Sequence, residues 1–170
     1  MTLKLATHDD WEAVKAIRLE ALQSEPGVFG SSFARESNYD EAQWRAWSTG
    51  PGRAIFLLYD GESRVGLTGV LAHRDDPSTA MCIASYLKPA YRGQKISRLF
   101  YQARLNWARE QGFTRLVVGH RASNLPSMHA NQAFGFCETH RELHTWHDGT
   151  EESEIYYELF LPPNPRPAGG

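Results

Sequence analysis

The fold is decided by the stretch from Tyr86 to Arg98, which reads YLKPAYRGQKISR. An apolar strand ends in its first residues and a long helix opens in its last ones, so Arg92, Gly93 and Lys95 lie in a tight basic loop between them. The start of a helix offers unpaired backbone N–H groups and the positive end of the helix dipole. This arrangement predicts a site for a phosphate. A basic surface turn ahead of a helix has a similar composition, so the loop alone leaves both interpretations open.

The residues after this loop extend it into a larger unit. One helical face over residues 96–110 carries Ile96, Leu99, Phe100, Ala103 and Trp107, and Gly112 is placed to cap the helix. Thr114–His120 predicts a strand that lies parallel to Ala80–Lys88, because a helix connects the two. Pro126 suits the first turn of a short helix ending near residue 134. Strand, loop, helix and strand in this order indicate a nucleotide-cofactor site.

The rest of the chain predicts one mixed domain. Thr7 and Asp10 form a capping-box pattern ahead of a helix that runs to Ser24, and Glu41–Ser48 predicts a short helix. Residues 28–40 have no clean period. Turn residues separate further predicted strands, which cover Thr2–Ala6, Arg53–Tyr59, Arg64–His73, Phe136–His147 and Glu154–Leu161. We expect one domain over residues 1–161 and a flexible tail over residues 162–170.

Composition narrows the class of protein. Of 170 residues, 41% are hydrophobic and 22% are charged, which is typical of a globular domain, and the net charge of −2 argues against a nucleic-acid-binding surface. Cys82 and Cys137 lack metal-ligand spacing and predict buried free thiols. The longest apolar run, Ala54 to Tyr59, is too short to cross a bilayer. We therefore expect a cytoplasmic protein without a metal site or a membrane partner.

The loop and the segment after the second parallel strand together resemble the two cofactor motifs of the GNAT superfamily of acyl-CoA-dependent N-acetyltransferases. The first motif has Arg or Gln, two residues, Gly, one residue, and Gly or Ala; here Arg92 begins the run, Lys95 stands at the central Gly and Ser97 at the last position. The second motif has an Asn, a small residue, a Tyr and Gly-Phe at fixed spacing. The matching residues are Asn124, Ser127, Asn131, Gly135 and Phe136, with Asn131 in place of the Tyr.

The resemblance implies an α+β fold: a twisted mixed sheet of six or seven strands with flanking helices, whose parallel fourth and fifth strands splay apart. The pantetheine arm of acetyl-CoA would lie in that gap. The backbone N–H of Leu87 would polarise the thioester carbonyl, and backbone amides from Gly93 to Arg98 with the Arg92 side chain would hold the pyrophosphate. The cofactor-binding residues implied in this way are Tyr86, Leu87, Arg92, Gly93, Gln94, Lys95, Ile96, Ser97, Arg98, Asn124, Ser127 and Asn131.

Two catalytic groups of the family are missing. Many relatives place a general base Glu on the fourth strand, yet residues 80–87 contain no carboxylate. We expect His120, at the end of the fifth strand, to accept the amine proton, since an imidazole ordinarily titrates near ~6.5; His73 and His129 are weaker candidates, and a packing role for His120 stays open. Without the motif Tyr, the thiolate would leave unassisted or with help from water or Ser127.

The predicted function is acetyl transfer from acetyl-CoA to a primary amine of a small molecule. Acetylation of a protein or peptide amine is the alternative within enzymes, and an acyl-CoA-binding module without turnover is the alternative outside them. By resemblance, the choice of acceptor depends largely on the segment between the first two helices and on the last two strands, and assembly as a homodimer is possible. Those segments hold Phe29, Phe33, Glu36, Trp44, Trp47, Trp146, Glu151, Glu152 and Glu154, which read either as an amine site or as core and solvated turn.

Overall fold

The computed structural model describes residues 1–163. Its helices are α1 (Trp11–Ser24), α2 (Phe33–Glu36), α3 (Glu41–Ser48), α4 (Ser97–Glu110) and α5 (Leu125–Phe134). Its strands are β1 (Thr2–Leu5), β2 (Thr49–Gly50), β3 (Arg53–Asp60), β4 (Ser63–Ala72), β5 (Thr79–Leu87), β6 (Arg115–Arg121), β7 (Cys137–Thr145) and β8 (Glu151–Phe160). Short 3-10 turns cover His8–Asp10 and Pro89–Tyr91.

Seven strands form one mixed sheet in the order β1-β3-β4-β5-β6-β8-β7, and the two-residue β2 pairs with β3 as an eighth. The predicted α+β fold with parallel fourth and fifth long strands is confirmed, since β5 and β6 are parallel. Their pairing covers only Thr79–Met81 against Arg115–Val117, although β5 continues to Leu87 and β6 to Arg121. The two strands therefore separate into the predicted gap.

An irregularity in β5 helps to open this gap. The register between β4 and β5 shifts between the pairs Leu67–Tyr86 and Gly69–Ile83, so β5 contains one more residue than β4 over this stretch. Within it, Ala84 has φ of 56°, in the left-handed region that residues other than glycine rarely adopt. Such a bulge bends its strand and redirects the residues after it. As a result, the end of β5 diverges from β6.

The core lies on both faces of the sheet. One face packs under α4 around Tyr101, Leu105 and Ala108, and the other packs under α1 around Val14 and Ile17. None of the helices within residues 1–163 is long and apolar enough to cross a membrane. The layers leave the gap between β5 and β6 accessible between the two groups of helices.

The structure corrects several boundaries and faces predicted from the sequence. The buried residues of α4 are Phe100, Tyr101, Arg104, Leu105 and Ala108, whereas Leu99 is 41% exposed. Phe100 belongs both to the predicted stripe and to the buried face, and Ile96 and Trp107 pack beside it partly buried. Tyr101 and Arg104 were not expected on this face because they carry polar groups. Cys137 is exposed, because edge strand β7 is open to solvent on both sides. Residues 28–40, read as irregular, contain α2. The predicted tail over residues 162–170 lies almost wholly outside the described residues.

Candidate active site

The basic loop ahead of α4 presents a row of backbone donors. From Gly93 to Ser97, five consecutive N–H groups find no backbone acceptor within the described part of the chain. Gly93 and Lys95 have φ of 74° and 61°, and Ile96 is right-handed, so the left-handed and right-handed pair Lys95–Ile96 turns its amides toward one point. The N-terminus of the fourteen-residue α4 adds its dipole at the same place. The loop therefore has the geometry of an anion site.

Lys95 occupies the position where the first motif has its central glycine. Its backbone adopts the left-handed conformation that glycine provides freely, and its side chain is exposed. Lysine here therefore has the backbone conformation that a glycine at this position would adopt freely. Left-handed backbone costs a non-glycine residue roughly 1–2 kcal/mol, so the surrounding structure holds Lys95 in a strained state.

Arg92 is engaged within the protein. Its Nε donates to the Leu87 carbonyl at 2.8 Å, and its Nη2 lies 2.6 Å from the Glu25 carboxylate. The guanidinium also lies over the Tyr86 ring, 5.8 Å from the ring centroid. Arg92 therefore ties the loop to the end of β5 and to α1, and its contact with a phosphate stays a prediction.

The end of β5 directs one amide into the gap. Lys88 N–H donates to the Val65 carbonyl at 2.9 Å, so Leu87 is the neighbouring residue whose backbone groups point away from β4. The Leu87 carbonyl accepts from Arg92 on that open side. Since the N–H and C=O of one strand residue point in the same direction, the Leu87 N–H also faces the gap. This orientation matches the role expected for it.

Two cavities meet at the gap. The loop cavity, about 420 Å³, lies beside the basic loop and is lined by Glu25, Leu87, Gly93, Lys95, Ser97 and Phe100, among others. The aromatic cavity, about 440 Å³, lies on the other side and is lined by Phe29, Trp47, Trp146, Arg53 and Glu154, among others. Six residues line both, namely Val28, Ser85, Tyr101, Arg104, Asn124 and Ser127. A molecule in one cavity can therefore reach a molecule in the other.

Most of the predicted cofactor residues line the loop cavity, namely Tyr86, Leu87, Arg92, Gly93, Lys95, Ile96, Ser97, Asn124 and Ser127. The Gln94 side chain instead donates to the Ala90 carbonyl at 3.1 Å, and Arg98 lines a separate groove between α4 and α5. Asn124 caps α5, where its Oδ1 accepts from the Ser127 N–H at 3.2 Å. Local capping thus fixes the second motif beside the gap.

Comparison with known proteins agrees with this geometry. The model of the acetyltransferase (GNAT) family matches residues 11–136. The chain belongs to this family. Comparison with curated proteins finds no match.

Solved structures show the same fold across the chain. The yncA protein of Salmonella typhimurium, a putative acetyltransferase solved with its cofactor acetyl-CoA, is 19% identical, with a TM-score of 0.80 over 100% of this chain and 99% of that one. Ribosomal-protein-alanine N-acetyltransferase of Brucella melitensis is 19% identical, with a TM-score of 0.79 over 95% and 100%. A putative phosphinothricin N-acetyltransferase is 23% identical, with a TM-score of 0.73 over 95% and 98%. The likeness at these identities is one of fold.

As a GNAT acetyltransferase, the protein has acetyl-CoA as its co-substrate, and the residues present fit that molecule. The five free amides suit its pyrophosphate, and the gap beside the Leu87 N–H suits its pantetheine arm. Within residues 1–163, no group of three or more His, Cys, Asp or Glu side chains is placed to hold a metal ion.

His120 is buried, 6% exposed, at the edge of the aromatic cavity. Its Nδ1 lies 2.6 Å from the Arg121 carbonyl, which can only accept, so Nδ1 carries the hydrogen. Its Nε2 then has the lone pair and accepts from the Tyr157 hydroxyl at 3.1 Å, while the two rings stack. Any proton that His120 takes up must therefore arrive at Nε2, in place of the Tyr157 hydrogen bond.

Glu154 is a second candidate proton acceptor in the same cavity, and the sequence left open whether it belongs to an amine site or to a solvated acidic turn. It lies in β8, where its Oε2 accepts from Tyr156 at 2.7 Å and is 3.3 Å from His144 Nε2. Its Oε1 faces Gly119 so closely that a Cβ added there would lie 2.5 Å away. Because Gly119 has no side chain, the Glu154 carboxylate has room at the cavity wall.

Arginines dominate the charge of the aromatic cavity. Arg18 and Glu36 form a buried pair with contacts of 2.7 and 3.0 Å, so Glu36 is not free to receive an amine. Arg53 and Arg104 have no carboxylate within 4.0 Å among the described residues, and the buried Nε of Arg104 has no hydrogen-bond partner there. Burial lowers the pKa of Arg53. The cavity therefore offers free positive charge beside the single carboxylate of Glu154.

The other candidate residues named from the sequence lie in different parts of the structure, and only some of them line a cavity. Trp44 is fully buried core, whereas Phe29, Trp47 and Trp146 line the aromatic cavity. His73 and His129 line neither cavity. Ser127 lines both cavities, as its candidate role requires.

Proposed function

We propose that the protein transfers the acetyl group of acetyl-CoA to the primary amine of a small molecule, by direct attack within a ternary complex. The observation that carries this proposal is the meeting of the two cavities at the gap between β5 and β6. Acetyl-CoA lies in the loop cavity, with its thioester at the gap. The amine enters from the aromatic cavity, so the two reacting atoms meet without a covalent intermediate on the protein.

The Leu87 N–H stabilises the negative charge that develops on the thioester oxygen during attack. A fixed backbone donor at this position needs no reorganisation as the charge forms, and one such donor typically contributes roughly 10²-fold or more to the rate. The Arg92 side chain supports the orientation of the Leu87 N–H, because it donates to the Leu87 carbonyl on the open side of β5. The five loop amides bind the pyrophosphate and hold the thioester in register with this donor.

A proton acceptor is needed because an alkylamine with a pKa near ~10.4 arrives mostly protonated. We propose His120 for this role, through Nε2, and Glu154 is the competing group because its Oε1 faces the same cavity. A matched pair of variants distinguishes them. His120→Asn lowers kcat by roughly 10²-fold and moves the acidic limb of the pH profile, while Glu154→Gln stays within about threefold. The reverse pattern assigns the role to Glu154.

The acceptor is a small amine that also carries an anionic group. A cavity of about 440 Å³ is the size of a small-molecule site. Arg53 and Arg104 lack carboxylate partners within the described chain, and a carboxylate or related acid on the substrate would pair with a guanidinium there. The aromatic rings of Phe29, Trp47 and Trp146 would pack against its apolar part.

The experiment is an acceptor screen that follows release of the CoA thiol. Amino acids are compared with their amides and decarboxylated amines, and with peptides that have a free N-terminus. Faster turnover of the acids supports the proposal, and faster turnover of peptides would favour the protein-acetylating alternative. Acetyl-CoA binding without thiol release from any amine would favour the module without turnover, and no acetyl-CoA binding at all would refute the cofactor site.

Three further predictions from the sequence accompany this proposal. The N-acetyltransferase domain covers residues 1–161, the protein resides in the cytoplasm, and a homodimer is one assembly that the family resemblance allows. Light scattering of the purified protein tests the last of these directly.

A further inference from the structure

A phenol hydroxyl from another helix contacts the residue that stands in place of the missing motif tyrosine. Asn131 stands where the second motif has its Tyr, and its Oδ1 accepts a hydrogen bond from the Tyr101 hydroxyl of α4. Both side chains are buried, with exposures of 2% for Asn131 and 8% for Tyr101. Stacking on Phe134, with ring centroids 4.8 Å apart, fixes the Tyr101 ring between α4 and α5.

Tyr101 also lies where the two cavities meet. It lines both the loop cavity and the aromatic cavity, as do the hydroxyl-bearing Ser85 and Ser127. The Ser85 hydroxyl is occupied by Arg104 at 2.8 Å and by Thr68 at 2.8 Å. A phenol, with an ordinary pKa near ~10, is a far stronger acid than an aliphatic hydroxyl. Among these three groups, Tyr101 is thus the best proton donor to a leaving thiolate.

We propose that Tyr101 is the general acid of the transfer and that Asn131 is the residue that positions it, an assignment that rests on the proposed function. The amine nitrogen forms its bond to the acetyl carbon, the bond from that carbon to sulfur breaks, and the Tyr101 O–H turns from Asn131 Oδ1 to give its proton to the departing sulfur. The proton released by the amine passes to the proton acceptor and returns the phenolate to phenol. The products are the amide and the free CoA thiol.

The surroundings of Tyr101 suit this cycle. Burial raises the pKa of Tyr101, so the phenol holds its proton at neutral pH. The Arg104 guanidinium lies over its ring, 4.5 Å from the centroid, and its charge offsets that of a transient phenolate. In the resting protein the phenol hydrogen points to Asn131 Oδ1, and this bond fixes the position of the Tyr101 oxygen until the hydrogen turns to the sulfur. The Nδ2 of Asn131 is buried without a partner among the described residues.

The test removes the hydroxyl and then restores it from the other helix. Tyr101→Phe keeps the stacked ring, so we expect normal folding, acetyl-CoA affinity within about threefold of the parent, and kcat lowered roughly 10–100-fold. The double variant Tyr101→Phe/Asn131→Tyr returns a phenol from α5, and we expect it to recover at least about tenfold in kcat. Tyr91→Phe, which loses an exposed hydroxyl bonded to Asp60, is the matched control and keeps its turnover.

The result that would refute Tyr101 as the general acid differs from the result that would refute the proposed function. A parent protein that acetylates no amine refutes the proposed function together with this inference. An active parent whose Tyr101→Phe variant stays within about threefold in kcat refutes the general acid alone. The assignment also fails if the double variant folds and binds acetyl-CoA like the parent but remains at the low kcat of Tyr101→Phe. Ser127→Ala is measured alongside, and a loss there instead would assign the proton to Ser127.

Discussion

Replacing Lys95 with glycine tests what the departure from the first motif does to the protein. In the structure Lys95 has φ of 61°, which costs a non-glycine residue roughly 1–2 kcal/mol. Glycine removes that strain but loses more conformational entropy on folding, roughly 0.5–1 kcal/mol. The difference predicts that Lys95→Gly stabilises the protein by about 0.5–1 kcal/mol. For a chain of this length the melting temperature should rise by roughly 1–4 °C.

The effect on acetyl-CoA binding follows from the charge of Lys95. Because its side chain is exposed, an ion pair between its ammonium and a phosphate contributes at most about 1 kcal/mol, or roughly fivefold in Kd. Lys95→Ala is the matched control, since it removes the ammonium but keeps a Cβ on the left-handed backbone. We expect both variants to bind acetyl-CoA up to about fivefold more weakly, and only the glycine variant to be more stable.

Denaturant unfolding measures the stabilities, and calorimetric titration with acetyl-CoA measures the affinities. If Lys95→Ala is as stable as Lys95→Gly, the argument from backbone strain is wrong. If both variants bind acetyl-CoA more tightly than the parent, the lysine obstructs the site and does not contact phosphate. In the parent, acetyl-CoA at about 100 times its Kd should add roughly 2.7 kcal/mol to the stability.

Three other perturbations have defined outcomes. Glu36→Gln leaves the buried Arg18 without its counter-charge, so urea unfolding should show a loss of about 3–5 kcal/mol, and an unchanged midpoint would contradict this. A hydrogen bond from the Ser78 side chain is the main reason why the pKa of Asp76 falls from 3.8 to about 2 in the folded protein. Its stabilising effect is therefore present above pH 3.8 and lost as the pH falls toward 2, so the gap in melting temperature between parent and Asp76→Asn should close over that range. Arg53→Met should raise KM for acidic amines roughly tenfold and leave KM for their amides unchanged; equal changes for both would argue against an anionic acceptor.

The sequence by itself determined the parts of the site that depend on near neighbours. The loop before α4, the start of α5 at Pro126 and the Thr7–Asp10 capping box were all predicted, because each is fixed by contacts within a few residues. The parallel pairing of β5 and β6 also followed, since a helical crossover leaves little choice of topology. These features placed the basic loop between β5 and α4 and the Asn124 segment after β6, as in the structure.

Tertiary structure alone decided which polar groups meet at the gap. Tyr101 reaches Asn131 across 30 residues of sequence, and Glu154 reaches the cavity because Gly119 on the neighbouring strand has no side chain. His120, expected at the mouth of the gap, has both ring nitrogens hydrogen-bonded by groups that its own position in the sequence did not reveal. Such contacts depend on the register of β8 against β6 and on the packing of α4 over α5. Local sequence patterns determine neither the strand register nor the helix packing. A shift of one residue in β8 would already reverse the face of every side chain on that strand.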